Sequence, residues 1–328
     1  MAGPEKGRYK DQDAVVLENA VARAVILPQW GAKLASFVHK PTGTETLWQN
    51  PEASYQRTAY DDAYGKAEFS GMDEMFPGIS ACRYEAAPWS GVEVPDHGEV
   101  WSLPWQHDIV GSSLKMRVAG LRFPYLLEKE VLLEGSCLRS RYRLSSGSDY
   151  PLDYIWAAHP LFNATEGMEF VVPSGMDRII NAVPGASLPN YGESLAFPEA
   201  EPRGRKALRL DRMPAREASC YQKYWFAERV PEGWCMLHDP GSGLTIGMAW
   251  PKDRVPFLGM WLNASGWNGQ YNIAPEPASA AMDRIDLSRL WGMGSVLKAR
   301  SVQEWELSIN LTTGGKPRGL AEEGSFLY

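Results

Sequence analysis

Apolar and polar residues alternate along much of this chain in short runs, and turn-forming residues close most of those runs. Ala14–Leu17 and Ala22–Leu27 are short apolar stretches parted by a polar one. Leu34–Val38 and Thr44–Trp48 flank Pro41-Thr42-Gly43. Trp105–Val110 and Leu114–Val118 flank Gly111-Ser112-Ser113, and Tyr125–Leu133 and Cys137–Leu144 flank Glu134-Gly135-Ser136. Each pair predicts a hairpin. In the last, Leu138, Ser140, Tyr142 and Leu144 point one way and Arg139, Arg141 and Arg143 the other, which is the period of a strand with one wet face. The arginines are then either a solvated outer face or a cradle for phosphate. Further strands are predicted at Leu152–Ala157, Glu169–Val172, Tyr221–Ala227, Cys235–His238, Leu244–Ala249, Phe257–Leu262 and Val302–Ile309. No long stretch keeps a helical period; Met72–Phe76 and Leu287–Leu290 read as single helical turns, and Ala196–Pro214 as a long exposed loop. No repeat or linker interrupts the pattern. The expectation is an all-β chain: one large antiparallel β-sandwich with few short helices, residues 1–328 as one domain with a core at about 14–310.

Composition sharpens this picture. Among 328 residues are 13 Trp, 14 Tyr and 10 Phe, a load that needs a large core or a flat-walled pocket. The 31 Gly and 24 Pro favour turns over helices. A net charge of −7 argues against a nucleic-acid partner. No run of about 18 apolar residues is present, so no spanning helix and no membrane partner are expected. Met1–Lys10 is polar and lacks a signal-peptide core, which points to a cytoplasmic protein. Cys82, Cys137, Cys220 and Cys235 form no C-x-x-C pair and read as free thiols, and no metal-ligand cluster appears. The sequons at Asn163, Asn263 and Asn310 then carry no meaning.

The five histidines can be weighed one by one. His39 ends a strand and reads as a surface residue, His107 lies inside a strand, and His238 precedes a turn. His97 sits in Pro95-Asp96-His97-Gly98-Glu99-Val100-Trp101, a turn with a carboxylate on each side, where loop residues on a rigid sheet often carry function. His159 ends the apolar run Tyr154–Ala158 before Pro160, a desolvating position that lowers an imidazole's pKa unless a carboxylate opposes it. Glu276, between Pro275 and Pro277, is held stiffly; it is either a functional carboxylate or an exposed turn residue. Asp73 and Glu74 lie in an apolar Gly/Pro-bounded segment that suits sugar hydroxyls, or else a capped helical turn. No dinucleotide, P-loop, zincin or nucleophile-elbow motif is present.

Taken in order, Asp96-His97-Gly98-Glu99-x-Trp101, Ala158-His159-Pro160-x-Phe162 and Glu276-Pro277 resemble the aldose 1-epimerase (galactose mutarotase-like) family, and Trp30–Ser36 resembles its opening hairpin. The resemblance runs from about residue 14 to about residue 310. It implies an antiparallel supersandwich with an open sugar cleft, a monosaccharide or sugar-phosphate substrate, and no cofactor. It implies Glu276 as base, His159 as acid and His97 as the second active-site histidine. Where the better-known members carry a hydroxyl-gripping Asp, this chain has Gln222-Lys223-Tyr224, and Arg57 is the nearest match to their usual arginine. Lys223 or Arg57 would then meet a phosphate or carboxylate, with Asp73, Glu74, Trp101 and Trp261 completing the expected sugar contacts. Two other readings stand beside this one: a non-catalytic sugar-binding protein, and a glycoside hydrolase pairing Glu276 with Asp73 or Glu74. A monomer or homodimer is expected.

Overall fold

The computed structural model describes residues 3–51, 55, 59–185 and 187–328. Strands dominate; among these residues one α-helix, Ile285–Leu290, and two 3-10 turns, Tyr64–Lys66 and Arg216–Ala218, are the helical elements. The all-β expectation with few short helices holds. The chain divides into two compact units, Met1–His159 with Ser279–Glu306, and Pro160–Ala278 with Leu307–Tyr328.

In the first unit, one sheet orders Glu5–Tyr9, Gln12–Glu18, Ala22–Leu27, Lys33–His39, Met72–Met75 and Ala157–Pro160 as neighbours. A second orders Cys137–Ser146, Tyr125–Glu134, Ser113–Ala119 and Gln106–Val110, antiparallel throughout. Leu138, Ser140, Tyr142 and Leu144 are buried as the alternation predicts. The arginines on the opposite face are matched by glutamates: Arg143 Nη1 lies 2.9 Å from Glu128, Arg141 Nε lies 3.1 Å from Glu306, and Arg139 also bonds Glu306. That face is a compensated charge ladder rather than a phosphate cradle. Tyr142 stacks on Trp305 at 5.3 Å within the second sheet, and Trp156, just before Ala157–Pro160, meets Trp305 at 5.0 Å across the packed interior. Burying side chains of this size contributes about 1.5–3 kcal/mol each.

The second unit repeats the layering. One sheet runs Tyr271–Ala278, Phe257–Ala264, Cys220–Phe226, Arg178–Val183, Ser194–Ala196. The other runs Glu169–Val171, Trp234–His238, Leu244–Ala249 and residues 308–313. Phe170 of the second layer and Phe226 of the first meet at 6.2 Å.

Three local expectations are corrected. Met72–Met75 is a strand, not a helical turn, and all four residues are buried. A strand covered on both faces shows no alternation, which hid it. Ala196–Pro214 is not a plain loop: Glu199–Ala200 pairs with Leu208–Arg209, and Leu210 and Met213 are buried. His39 is buried rather than on the surface, its Nδ1 2.9 Å from Thr42 Oγ1. Leu287–Leu290 does fall in the α-helix.

Candidate functional site

In the first unit the segment around His97 is pinned to Phe76. Glu99 N donates to Phe76 O at 2.7 Å, and Gly98 N to Pro95 O at 2.9 Å. His97 adopts φ +59°, a left-handed conformation that histidine enters more readily than most residues. Gly98 follows at φ +77°, and a β-carbon there would stand 2.2 Å from Phe76 O, so no other residue fits. Asp96 holds the turn from inside. Its Oδ1 lies 2.9 Å from His97 Nδ1, its Oδ2 accepts Tyr64 N at 2.9 Å, and its carbonyl accepts Trp101 Nε1 at 2.9 Å. Burial works to raise the Asp96 carboxyl, but the hydrogen bonds and charge of His97, together with the Tyr64 amide, outweigh it, and the group lies below its ordinary value. Against a carboxylate, His97 Nδ1 must be the protonated nitrogen.

Tyr64 opens the 3-10 turn Tyr64–Lys66 and touches both histidines. Its ring stacks on His97 at 3.8 Å and 9°, and Trp101 meets it edge-on at 5.1 Å. Its hydroxyl is 2.8 Å from Asp73 Oδ2 and 3.3 Å from His159 Nδ1. His159, delivered by the strand Ala157–Pro160, is 7% exposed, and its ring stands 5.5 Å from His97 at 82°. Behind Tyr64, Lys33 Nζ donates to Asp73 Oδ2 at 2.6 Å and to Ser70 O at 2.8 Å. Burial pushes the Asp73 carboxyl up, while Lys33 and Tyr64 pull it back.

In the second unit, register fixes which residues share a face: Lys223 lies across from Trp261 and Trp261 from Ala274, while Trp225 lies across from Gly259 and Gly259 from Glu276. Tyr221, Lys223, Trp261 and Glu276 therefore project from one side of the sheet. Glu276 is fully buried inside the strand Tyr271–Ala278, not in an exposed turn. Pro275 and Pro277 fall at alternate positions, so both missing donors face the same side, and pairing with Phe257–Ala264 continues unbroken. The Lys223 ammonium bonds Glu276 Oε2 and lies 5.2 Å over the Trp225 ring. Half-buried Trp261 packs against Tyr221 at 5.6 Å, the rings tilted by 31°, and donates to Asn272 Oδ1 at 3.2 Å.

The sequence-predicted residues thus divide. His97, His159, Trp101 and Asp73 share the first cluster, and Glu276, Lys223 and Trp261 the second. Glu74 belongs to neither: adjacent strand residues point oppositely, and its carboxylate is locked in the core by Lys129 Nζ at 2.7 Å, Tyr142 Oη at 2.8 Å and Trp156 Nε1 at 3.0 Å. Glu99, the other carboxylate beside His97, is spent on Tyr60 and Tyr125 hydroxyls at 2.7 and 2.8 Å. Arg57 lies outside the described residues. Sequence reasoning missed Tyr64, which sits in no motif, and Lys33, which lies in the Trp30–Ser36 hairpin but was given no role there.

No protein-family model and no curated protein matches this chain. Solved structures do. A Synechocystis protein superimposes with a TM-score of 0.70 at 17% identity, covering 94% of this chain and 99% of that one. A galactose mutarotase-like protein from Lactobacillus casei gives 0.66 at 17% identity, covering 91% of this chain and all of its own length (100%). A galactose mutarotase related enzyme from Lactobacillus acidophilus gives 0.64 at 14%, covering 92% and 97%. The fold is therefore the galactose mutarotase-like one, as the motif order in the sequence implied.

Proposed function

We propose that this protein is an aldose 1-epimerase-like isomerase that interconverts the α and β anomers of a monosaccharide, free or phosphorylated. The observation that carries the reading is the pairing of His97 and His159 within 5.5 Å, with Asp96 orienting the first and Tyr64 contacting the second. Anomer exchange needs a base for the C1 hydroxyl proton and an acid for the ring oxygen. Ring opening breaks the C1–ring oxygen bond and forms a carbonyl at C1; rotation about C1–C2 and the reverse transfers give the other anomer. In this reading His159 protonates the ring oxygen, His97 orients it by hydrogen bonding, and Glu276 is the base. Trp101 and Trp261 supply aromatic surface for sugar C–H faces. The route uses acid–base groups and calls for no cofactor. Lys223 is already engaged by Glu276, which disfavours it as a phosphate receptor.

That same contact gives some support to a second reading, a non-catalytic carbohydrate-binding protein, because the carboxylate assigned as base is buried against an ammonium. One experiment separates the two. Anomer exchange followed by NMR or polarimetry over a panel of aldoses and aldose phosphates should be accelerated by the wild type. Glu276→Gln should lose about 10²–10⁴-fold with its fold intact. A wild type no faster than buffer on every sugar, with calorimetric binding retained, would establish the binding protein instead.

A further inference from the structure

We propose that Tyr64, backed by Asp73 and Lys33, is a positioning residue that fixes His159 in one tautomer, Nδ1 protonated, and so makes Nε2 the nitrogen that exchanges a proton with substrate. The catalytic half of this proposal rests on the epimerase reading above; the structural half does not. The argument is one of donors and acceptors. Lys33 Nζ, which as an ammonium can only donate, lies 2.6 Å from Asp73 Oδ2. Paired with that ammonium, Asp73 is a carboxylate, and its Oδ2 can only accept. The Tyr64 hydroxyl is 2.8 Å from that same Oδ2, so its single hydrogen is committed there. What the hydroxyl presents to His159 Nδ1, 3.3 Å away, is a lone pair, and Nδ1 must be the donor.

The consequence for chemistry is directional. When imidazolium His159 gives its Nε2 proton to the ring oxygen, the N–H bond breaks, an O–H bond forms, and neutral imidazole remains with its hydrogen on Nδ1. That is the form Tyr64 accepts a hydrogen bond from, so the proton leaves without the ring turning or changing tautomer. The same tyrosine ring lies flat on His97, holding both imidazoles in one frame. Asp73 then acts from behind Tyr64 rather than as a sugar-gripping carboxylate.

The test uses ¹⁵N NMR of imidazole-labelled protein, which distinguishes protonated from bare ring nitrogens, together with kinetics. In the wild type at a pH where His159 is neutral, Nδ1 should carry the hydrogen and Nε2 should be bare. In Tyr64→Phe, which keeps the ring on His97, His159 should become a mixture of tautomers. Its kcat should fall about 10–100-fold with little change in KM, the scale of lost second-layer orientation, and the pH–rate limb belonging to His159 should move. A wild-type His159 protonated at Nε2 with bare Nδ1 overturns the proposal. So does a Tyr64→Phe variant with His159 nitrogens and pH profile unchanged. A wild type with the stated tautomer but no exchange activity supports the relay and removes only the epimerase reading.

Discussion

His97 shows what a single position can and cannot disclose. Its neighbours Asp96 and Gly98 are visible in the sequence, and both prove necessary: the carboxylate orients the imidazole, and the glycine permits the close approach to Phe76. Tyr64 is the opposite case. Its hydroxyl partners lie 9 and 95 residues away, and no local spacing records a meeting of that kind. Asp96 also gives a pH-dependence. Its folded-state value lies below the unfolded one, so the stabilisation is present at neutral pH and is lost as pH falls through the folded-state value. Asp96→Asn should therefore be less stable than wild type near neutrality. The two should converge below the carboxylate range in urea titrations repeated across pH, and a constant difference at all pH would contradict the assignment.

At the level of elements, legibility depended on exposure. Strands with one wet face, such as Cys137–Ser146, announced themselves by alternation. Met72–Met75 did not, because both of its faces are covered, and the strand around Glu276 was masked by two prolines that read as a turn. These concealed strands are the ones that carry buried carboxylates. Asp73 and Glu74 look alike in sequence, yet one serves the histidine cluster and the other ties the sheets of the first unit together. Lys129→Met should leave the Glu74 charge buried without its cation and cost about 3–5 kcal/mol of stability by urea unfolding. Adding Glu74→Gln should restore much of that, whereas a double variant no better than the single would show that the ion pair is not the reason.

Across the whole molecule, the all-β class and the family-like order of motifs were legible, while the positions of charge inside it were not. Lys33 with Asp73, Lys129 with Glu74 and Lys223 with Glu276 repeat one device, an ammonium and a carboxylate enclosed together. Each lysine is at most 7% exposed at its side chain. Charged groups of this kind are seldom enclosed unless paired, so composition alone gave no hint of them. Their enclosure leaves a chemical fingerprint. Reductive methylation of the native protein should modify the surface lysines and spare Lys33, Lys129 and Lys223. The same reagent applied in denaturant should reach all three, so peptide mass mapping would read out these enclosed amines as a group that becomes reactive only when the chain opens.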